Sequence, residues 1–391
     1  MKYYAGFITA AILGVITWVF QQFGERFSKL VDMVYPYVIR TVQAFLAQWS
    51  SGVDFLIWQL LAVVLVVLAI AVLVLVIAMR RSVVAWAGWV LAGVSLICLV
   101  HTLMFGLNYH AGPLSDDIRL EVGQYTLDEL KEATIYYRDQ ANTFSELVRR
   151  DDKGNVQFAE FETLAGQAGE GFQYLTYERL YSVFAGSTLP VKKLGLADLY
   201  TSMGITGFTT GITGEAAVNP QIPDVSLPFT MAHEMAHRMC IASERDANFA
   251  AFLACSANNS LEFQYSAYFM AYRYCYSALA NISTQASASA TSEVSGGVGL
   301  LLQRDLAYYN TFFNSHRNDT ATRVADTVND TYLRTNGDKA GLASYGQVCD
   351  LLVNWHIQEV VLPSITVEEK LFDPYDETQV DLSGITHARG N

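Results

Sequence analysis

Leu227-Pro-Phe-Thr-Met-Ala-His-Glu-Met-Ala-His-Arg-Met-Cys-Ile-Ala-Ser-Glu-Arg-Asp-Ala-Asn248 carries the chain's most specific pattern. His233 and His237 are four residues apart, so on a helix both imidazoles leave the same face and can reach one metal ion. Glu234 sits between them, the position from which a carboxylate holds a water and accepts its proton. A catalytic zinc takes a third protein ligand and keeps one position open. Glu244 is the candidate, with Asn248 four residues on and on the same face, placed to hydrogen-bond a ligating imidazole. A single straight helix would set Glu244 roughly 10 Å beyond His237, too far to share an ion. The chain must therefore break between Arg238 and Ser243. Ser243 followed by Asp246 reads as a helix start, with Asp the weaker choice where a capping box prefers Glu.

Pro228 suits a helix start just upstream. Before it, Leu194 to Glu215 changes character and repeats Gly-Ile-Thr-Gly at 204–207 and 211–214. Glycine mixed with β-branched residues predicts a hairpin or edge strand. An edge there can pair with an extended peptide, and Glu215 either neutralises a substrate amine or serves the turn. Elsewhere the second part of the chain reads as helical, so the expected fold is mainly α with this one small β element. Thr126-Leu-Asp-Glu129 is a capping box, Asp151 to Asn155 a turn, and 158–181 helix-like but broken by glycines. The Ser/Ala/Thr-rich stretch 283–297 is expected to be a loop, with helical patterns resuming from Asp305 to His356. His316, Tyr332, Tyr345 and His356 are candidate donors to an oxyanion, and spacing does not choose among them. Cys240 and Cys255 read as core residues.

The first part of the chain is of another kind. Residues 3–20, 55–79 and 83–107 are uninterrupted by charge and long enough to cross a bilayer, which takes about 20 residues. No Ala-x-Ala pattern precedes Gln21 and Gln22, so the first is expected to be an uncleaved span and not a signal peptide. Residues 25–49 alternate apolar and charged side chains with the period of an amphipathic helix at the membrane surface. Lys2 and the Arg80-Arg81 hairpin favour a cytoplasmic N-terminus, which would put everything after Leu107 outside the cytoplasmic membrane. The expected organisation is a membrane anchor over 1–107, a globular domain over 108–362, and an acidic tail over 363–391.

Composition agrees with that division. The 391 residues are 52% hydrophobic and only 16% charged, with a net charge of −13. Residues 1–105 hold 6 basic and 3 acidic side chains, and residues 106–391 hold 19 and 35. An acidic domain of this kind lacks the positive surface that phosphate neutralisation requires, so nucleic acid is excluded as a partner. Five cysteines without a CxxC pair exclude a disulfide framework.

His233-Glu-x-x-His237 followed by Glu244-x-x-Ala-Asn248 resembles the glutamate-type zincin metallopeptidases. Over residues 1 to about 360 the chain is also similar to a bacterial domain-of-unknown-function family of multi-span membrane proteins. The segments carrying that similarity include Gly204-Ile-Thr-Gly-Phe208, Gly214-Glu-Ala-Ala-Val-Asn-Pro220, Leu227-Pro-Phe-Thr230 and Ser344-Tyr-Gly346. The resemblance implies one zinc ion on His233, His237 and Glu244, with Glu234 as general base. The expected function is a membrane-anchored zinc metallopeptidase acting on peptides or membrane-proximal protein segments. Two rivals share the ligand set: a zinc-stabilised sensor or scaffold without turnover, and a zinc amidohydrolase acting on a non-peptide envelope substrate.

Overall fold

Three helices, α1 (Ala5–Arg26), α3 (Ile57–Ala78) and α4 (Val83–Met104), are long and apolar enough to cross a membrane. The structure, a computed structural model, describes residues 3–363. The tail expected over 363–391 lies, from residue 364 on, outside the described residues. Most side chains of α3 are bare of protein neighbours, as lipid-facing side chains would be. α1 and α4 cross in close contact where Gly6 faces Gly88. A Cβ on Gly6 would come within 2.4 Å of the Gly88 carbonyl carbon, so small residues set this crossing. The three apolar helices mark the chain as a membrane protein.

α2 (Ser28–Ser50) fills the segment expected to be amphipathic. Its faces are used in an unexpected sense. Val31, Ile39, Arg40, Gln43 and Ala47 are buried against the rest of the protein, whereas Leu30, Val34, Tyr37, Val38 and Phe45 are exposed. The polar groups at 40 and 43 are thus turned inward, where they find backbone carbonyls to bond.

A short 3-10 turn over Gly106–His110 links α4 to the second part of the chain. There α5 (Leu114–Ile118) and α6 (Leu127–Leu147) come first. α6 begins at the expected capping box: Thr126 Oγ1 accepts from the Glu129 amide at 3.2 Å, and Glu129 Oε2 accepts from the Thr126 amide at 2.6 Å. Residues 158–181 hold two short helices, α7 (Phe161–Gln167) and α8 (Glu170–Tyr177). Next come β1 (Lys192–Lys193), α9 (Ala197–Ser202), β2 (Gly207–Thr210) and β3 (Glu215–Val218). The sheet order is β1-β3-β2, with β1 parallel and β2 antiparallel to β3, so β2 is an edge strand.

The sheet rests on the head of α3. Leu56, Leu194 and Ala217 form a small apolar cluster there with Trp58 and Tyr200. Glu215 supplies the missing partners of the helix start, accepting from the Ile57 and Trp58 amides at 2.9 and 3.0 Å. It also meets Lys192 Nζ at 2.8 Å and accepts from Thr213 Oγ1 at 2.8 Å. Its carboxylate is therefore fully engaged within the protein, which takes it away from the substrate-amine role.

α10 (Leu227–Arg238), α11 (Glu244–Ser256), α12 (Leu261–Ala280), α13 (Gln285–Gly296), α14 (Leu300–His316), α15 (Asp319–Thr335) and α16 (Val348–His356) complete the fold. The main core gathers where α6, α10, α11, α12 and α16 meet, around Tyr137, Phe252, Phe263, Tyr265 and Phe269. The stretch read as a loop, 283–297, is helix α13. Thr284 caps it by accepting from the Ser287 amide at 3.1 Å, and Ser287, Ala290 and Val294 form its buried face. Small side chains there let the helix pack closely, with Thr291 bonding back to the Ser287 carbonyl at 2.8 Å. A Ser/Thr-rich composition conceals that spacing.

Candidate metal centre

α10 ends in a tight reversal. Cys240 takes a left-handed conformation (φ +72°), the Ile241 amide reaches back to the Ala236 carbonyl at 3.1 Å, and Cys240 N bonds His237 O at 2.9 Å. This is a Schellman-type stop, made with cysteine where glycine is usual. Ser243 then caps α11, accepting from the Asp246 amide at 3.4 Å. Asp246 does not close the box in return. Its shorter side chain accepts from the Leu114 amide at 3.2 Å, tying α11 to α5. The break predicted between Arg238 and Ser243 is thus present, and the first turn of α11 swings back beside α10.

The reversal brings His233, His237 and Glu244 together. The two Nε2 atoms lie 3.0 Å apart, and Glu244 Oε2 is 3.2 Å from His233 Nε2 and 3.5 Å from His237 Nε2. They form a group able to hold a metal ion. The Ile241 carbonyl lies 2.8 Å from His237 Nδ1, which makes that nitrogen the donor, so that a neutral ring would turn its Nε2 lone pair toward the group. Burial disfavours charge on His237 and Glu244 alike, but each is the other's counter-charge. His237 is lifted to about 9, and Glu244 is held well below the ordinary carboxylate range.

Glu234 is buried beside them, 5% exposed, and burial raises its pKa. Thr209 of β2 donates to Glu234 Oε2 at 2.7 Å. A Cβ at Gly207, two residues earlier on the same face of the strand, would stand 2.4 Å from Glu234 Oε1. The edge strand therefore packs directly on the motif carboxylate, which sequence spacing did not reveal.

Asn248, expected to hydrogen-bond an imidazole, is placed differently. Its Oδ1 accepts from Tyr274 OH at 3.2 Å, while the bond to the His237 ring comes from the Ile241 carbonyl. Of the four proposed oxyanion donors, Tyr332 lies near the group. Its hydroxyl is 3.0 Å from His101 Nε2, and the Glu244 charge acts on it. Tyr274 on α12, overlooked in the sequence, feels the same charge. Burial is the main cause that raises both phenols, with Glu244 a lesser one and, at Tyr274, behind Tyr309, so each keeps its proton. His316 is exposed and bonded within α14, and His356 packs on Tyr136 and Tyr137. The Tyr345 side chain lies outside the described residues. Cys240 and Cys255 are buried, free thiols.

The group sits close to the membrane-spanning part. Phe105, one residue past α4, packs edge-on against His237 with ring centroids 6.2 Å apart. A cavity of about 360 Å³ lies at the 240–246 connection, lined by Asp32, Arg40, Asn108, Asp117, Arg245 and Asp246 among others, and none of the three converging residues lines it.

Comparison with known families matches residues 31–353 to a model described as "Protein of unknown function (DUF3810)". The chain belongs to the DUF3810 family. The match takes in most of α2, the two later spans, the sheet and both helices of the metal group, so these parts of this DUF3810 chain are covered together. No curated protein and no solved structure matches the chain.

Proposed function

We infer that this DUF3810 protein is a membrane-anchored zinc metallopeptidase, with zinc held by His233, His237 and Glu244 and with Glu234 as general base. The observation that carries the reading is the convergence of the three ligand atoms beside a buried carboxylate fixed by Thr209. Their separations of 3.0, 3.2 and 3.5 Å match a tetrahedral zinc, whose bonds of about 2.0–2.1 Å hold neighbouring ligand atoms about 3.3 Å apart. Two imidazoles and one carboxylate are also the donor set of a catalytic site with an open position.

Bound zinc would polarise the peptide carbonyl and make a water acidic enough to attack at neutral pH. Glu234 takes the proton of the attacking water and delivers it to the departing amine. Thr209 orients that carboxylate, and burial raises its affinity for the proton it must carry. Tyr332 and Tyr274 are protonated phenols, and either would have to leave its partner, His101 or Asn248, to donate to the carbonyl oxygen as it gains charge. The open edge of β2 offers main-chain groups for an extended peptide. A zinc-stabilised scaffold would need the three ligands but not a positioned Glu234, which favours the enzyme.

The test uses the full-length protein in liposomes, measuring zinc per chain and hydrolysis of fluorogenic casein and of a peptide library. Near one zinc per chain and metal-dependent hydrolysis are expected. Glu234→Gln should keep the zinc and lose hydrolysis, and Glu244→Ala should lose both. Zinc binding without Glu234-dependent hydrolysis of any peptide would leave the scaffold or the non-peptide amidohydrolase, which envelope amides would then separate.

A further inference from the structure

Several independent contacts set the metal group against the membrane end of the molecule. α2 exposes an apolar stripe, Leu30, Val34, Tyr37, Val38 and Phe45, which recur at the helical three-to-four-residue spacing. A water-facing helix would not carry this stripe, and none of the described residues covers it. Its opposite face grips the metal group's surroundings. Arg40 Nε donates to the Met239 carbonyl at 3.1 Å, within the reversal between the two ligand helices. Gln43 Nε2 donates to the carbonyls of Met104, the last residue of α4, and of Gly211 in the β2–β3 turn, at 3.0 and 2.8 Å.

The other end of β2 meets the head of α3. Phe208, 45% exposed, lies 5.0 Å ring to ring from Trp58 in the first turn of α3. Trp at the mouth of a span marks the headgroup layer. Gln59 Nε2 bonds the Gly195 carbonyl at 3.3 Å, which ties the segment leading into α9 to the same helix start. α9 itself carries Leu199, 53% exposed. Through Trp58, Phe208 continues the exposed apolar surface of α3.

We propose that α2, α9 and β2 seat the metal centre in the headgroup layer of the bilayer, and that its substrate is a polypeptide segment immediately flanking a membrane anchor. The substrate class rests on the peptidase reading above, whereas the seat in the bilayer does not. Burial in lipid gives the exposed stripe of α2 its partner and holds the open edge of β2 beside segments emerging from the membrane. The domain is acidic, so apolar contact and not charge attraction carries the docking to anionic lipid.

Two measurements on the full-length protein in phosphatidylethanolamine/phosphatidylglycerol liposomes decide it. Nitroxides placed through Phe45→Cys and Leu199→Cys should collide with oxygen in preference to a water-soluble nickel chelate. One placed through Ser292→Cys, on α13, should show the reverse. Accessibilities at 45 and 199 equal to that at 292 would overturn the seat. For the substrate, one casein-derived sequence is fused to a leucine-rich span of about 20 residues. It is joined either directly or through a Gly/Ser spacer of about 20 residues, which moves it roughly 25 Å away on average. Both forms are equally anchored, so surface concentration is the same. Cleavage about tenfold faster in the direct fusion is expected, and equal or reversed rates would overturn the substrate class. If the zinc-loaded protein cleaves neither form, the peptidase reading falls and the substrate class with it, while the nitroxide result still stands on its own.

Discussion

The Thr209 hydroxyl donates to Glu234 Oε2 at 2.7 Å, from a strand that precedes the motif helix by about twenty residues. A hydrogen bond to a charged group contributes about 1.5–3 kcal/mol. Thr209→Val keeps the shape of the side chain and removes the donor. Hydrolysis is expected to fall by roughly 10- to 100-fold in kcat, with zinc content unchanged. Full activity in a zinc-loaded Thr209→Val protein would remove Thr209 from any positioning role.

Gly207 makes a harsher version of the same test. Its absent side chain leaves room for Glu234, since a Cβ would stand 2.4 Å from Oε1 and 2.7 Å from the carboxyl carbon. The obstructed atoms are the end of a side chain, so in Gly207→Ala the carboxylate is displaced while the strand stays in place. Loss of hydrolysis by more than about tenfold is expected. Zinc per chain should stay near one and the melting temperature near that of the wild type. A large fall in melting temperature would show that the strand moved instead.

The difference between these residues and the ligands explains what the sequence made legible. His233, His237 and Glu244 are local: a four-residue spacing and the Ser243 cap are enough to bring them to one place. Thr209, Tyr274 and Phe105 reach the same place only through packing of a sheet, a later helix and the end of a span, which no spacing encodes. α2 was legible as amphipathic, but its polar side faces the protein because Arg40 and Gln43 bond carbonyls there and lipid-compatible residues remain outside. Helix α13 departs from the expected loop for a related reason. Its buried Ser287, Ala290 and Val294 are too small to stand out among neighbouring serines and threonines, so composition suggested a loop where close packing makes a helix.

Glu215 and Lys192 join the sheet to the head of α3. The carboxylate is fully buried, meets Lys192 Nζ at 2.8 Å and accepts from two amides of α3. Removing one partner of a buried ion pair leaves the other uncompensated, at a cost of about 3–5 kcal/mol. Lys192→Met should destabilise the protein by about 3 kcal/mol, read by thermal or denaturant unfolding in detergent. The double variant Lys192→Met/Glu215→Gln should recover part of the loss, because no unpaired charge is then buried. A single variant as stable as the wild type would show that this joint contributes little.

His356 gives the fold a pH dependence separate from the metal group. Burial lowers its pKa from the ordinary 6.5 to about 4, and its ring lies 4.9 Å from that of Tyr136, without an acidic partner among the described residues to support a charge. The folded protein therefore holds it neutral, while the unfolded chain takes up a proton below 6.5. A depressed folded pKa contributes stability that is present above 6.5 and lost as pH falls toward 4. Melting temperature should therefore drop across that window by more than in His356→Phe, which fills the same space and cannot titrate. Carboxylates elsewhere titrate equally in both proteins, so the difference between the two curves isolates His356. Curves that run parallel from pH 6.5 to 4 would show that the ring is charged in the fold or solvated enough to titrate normally.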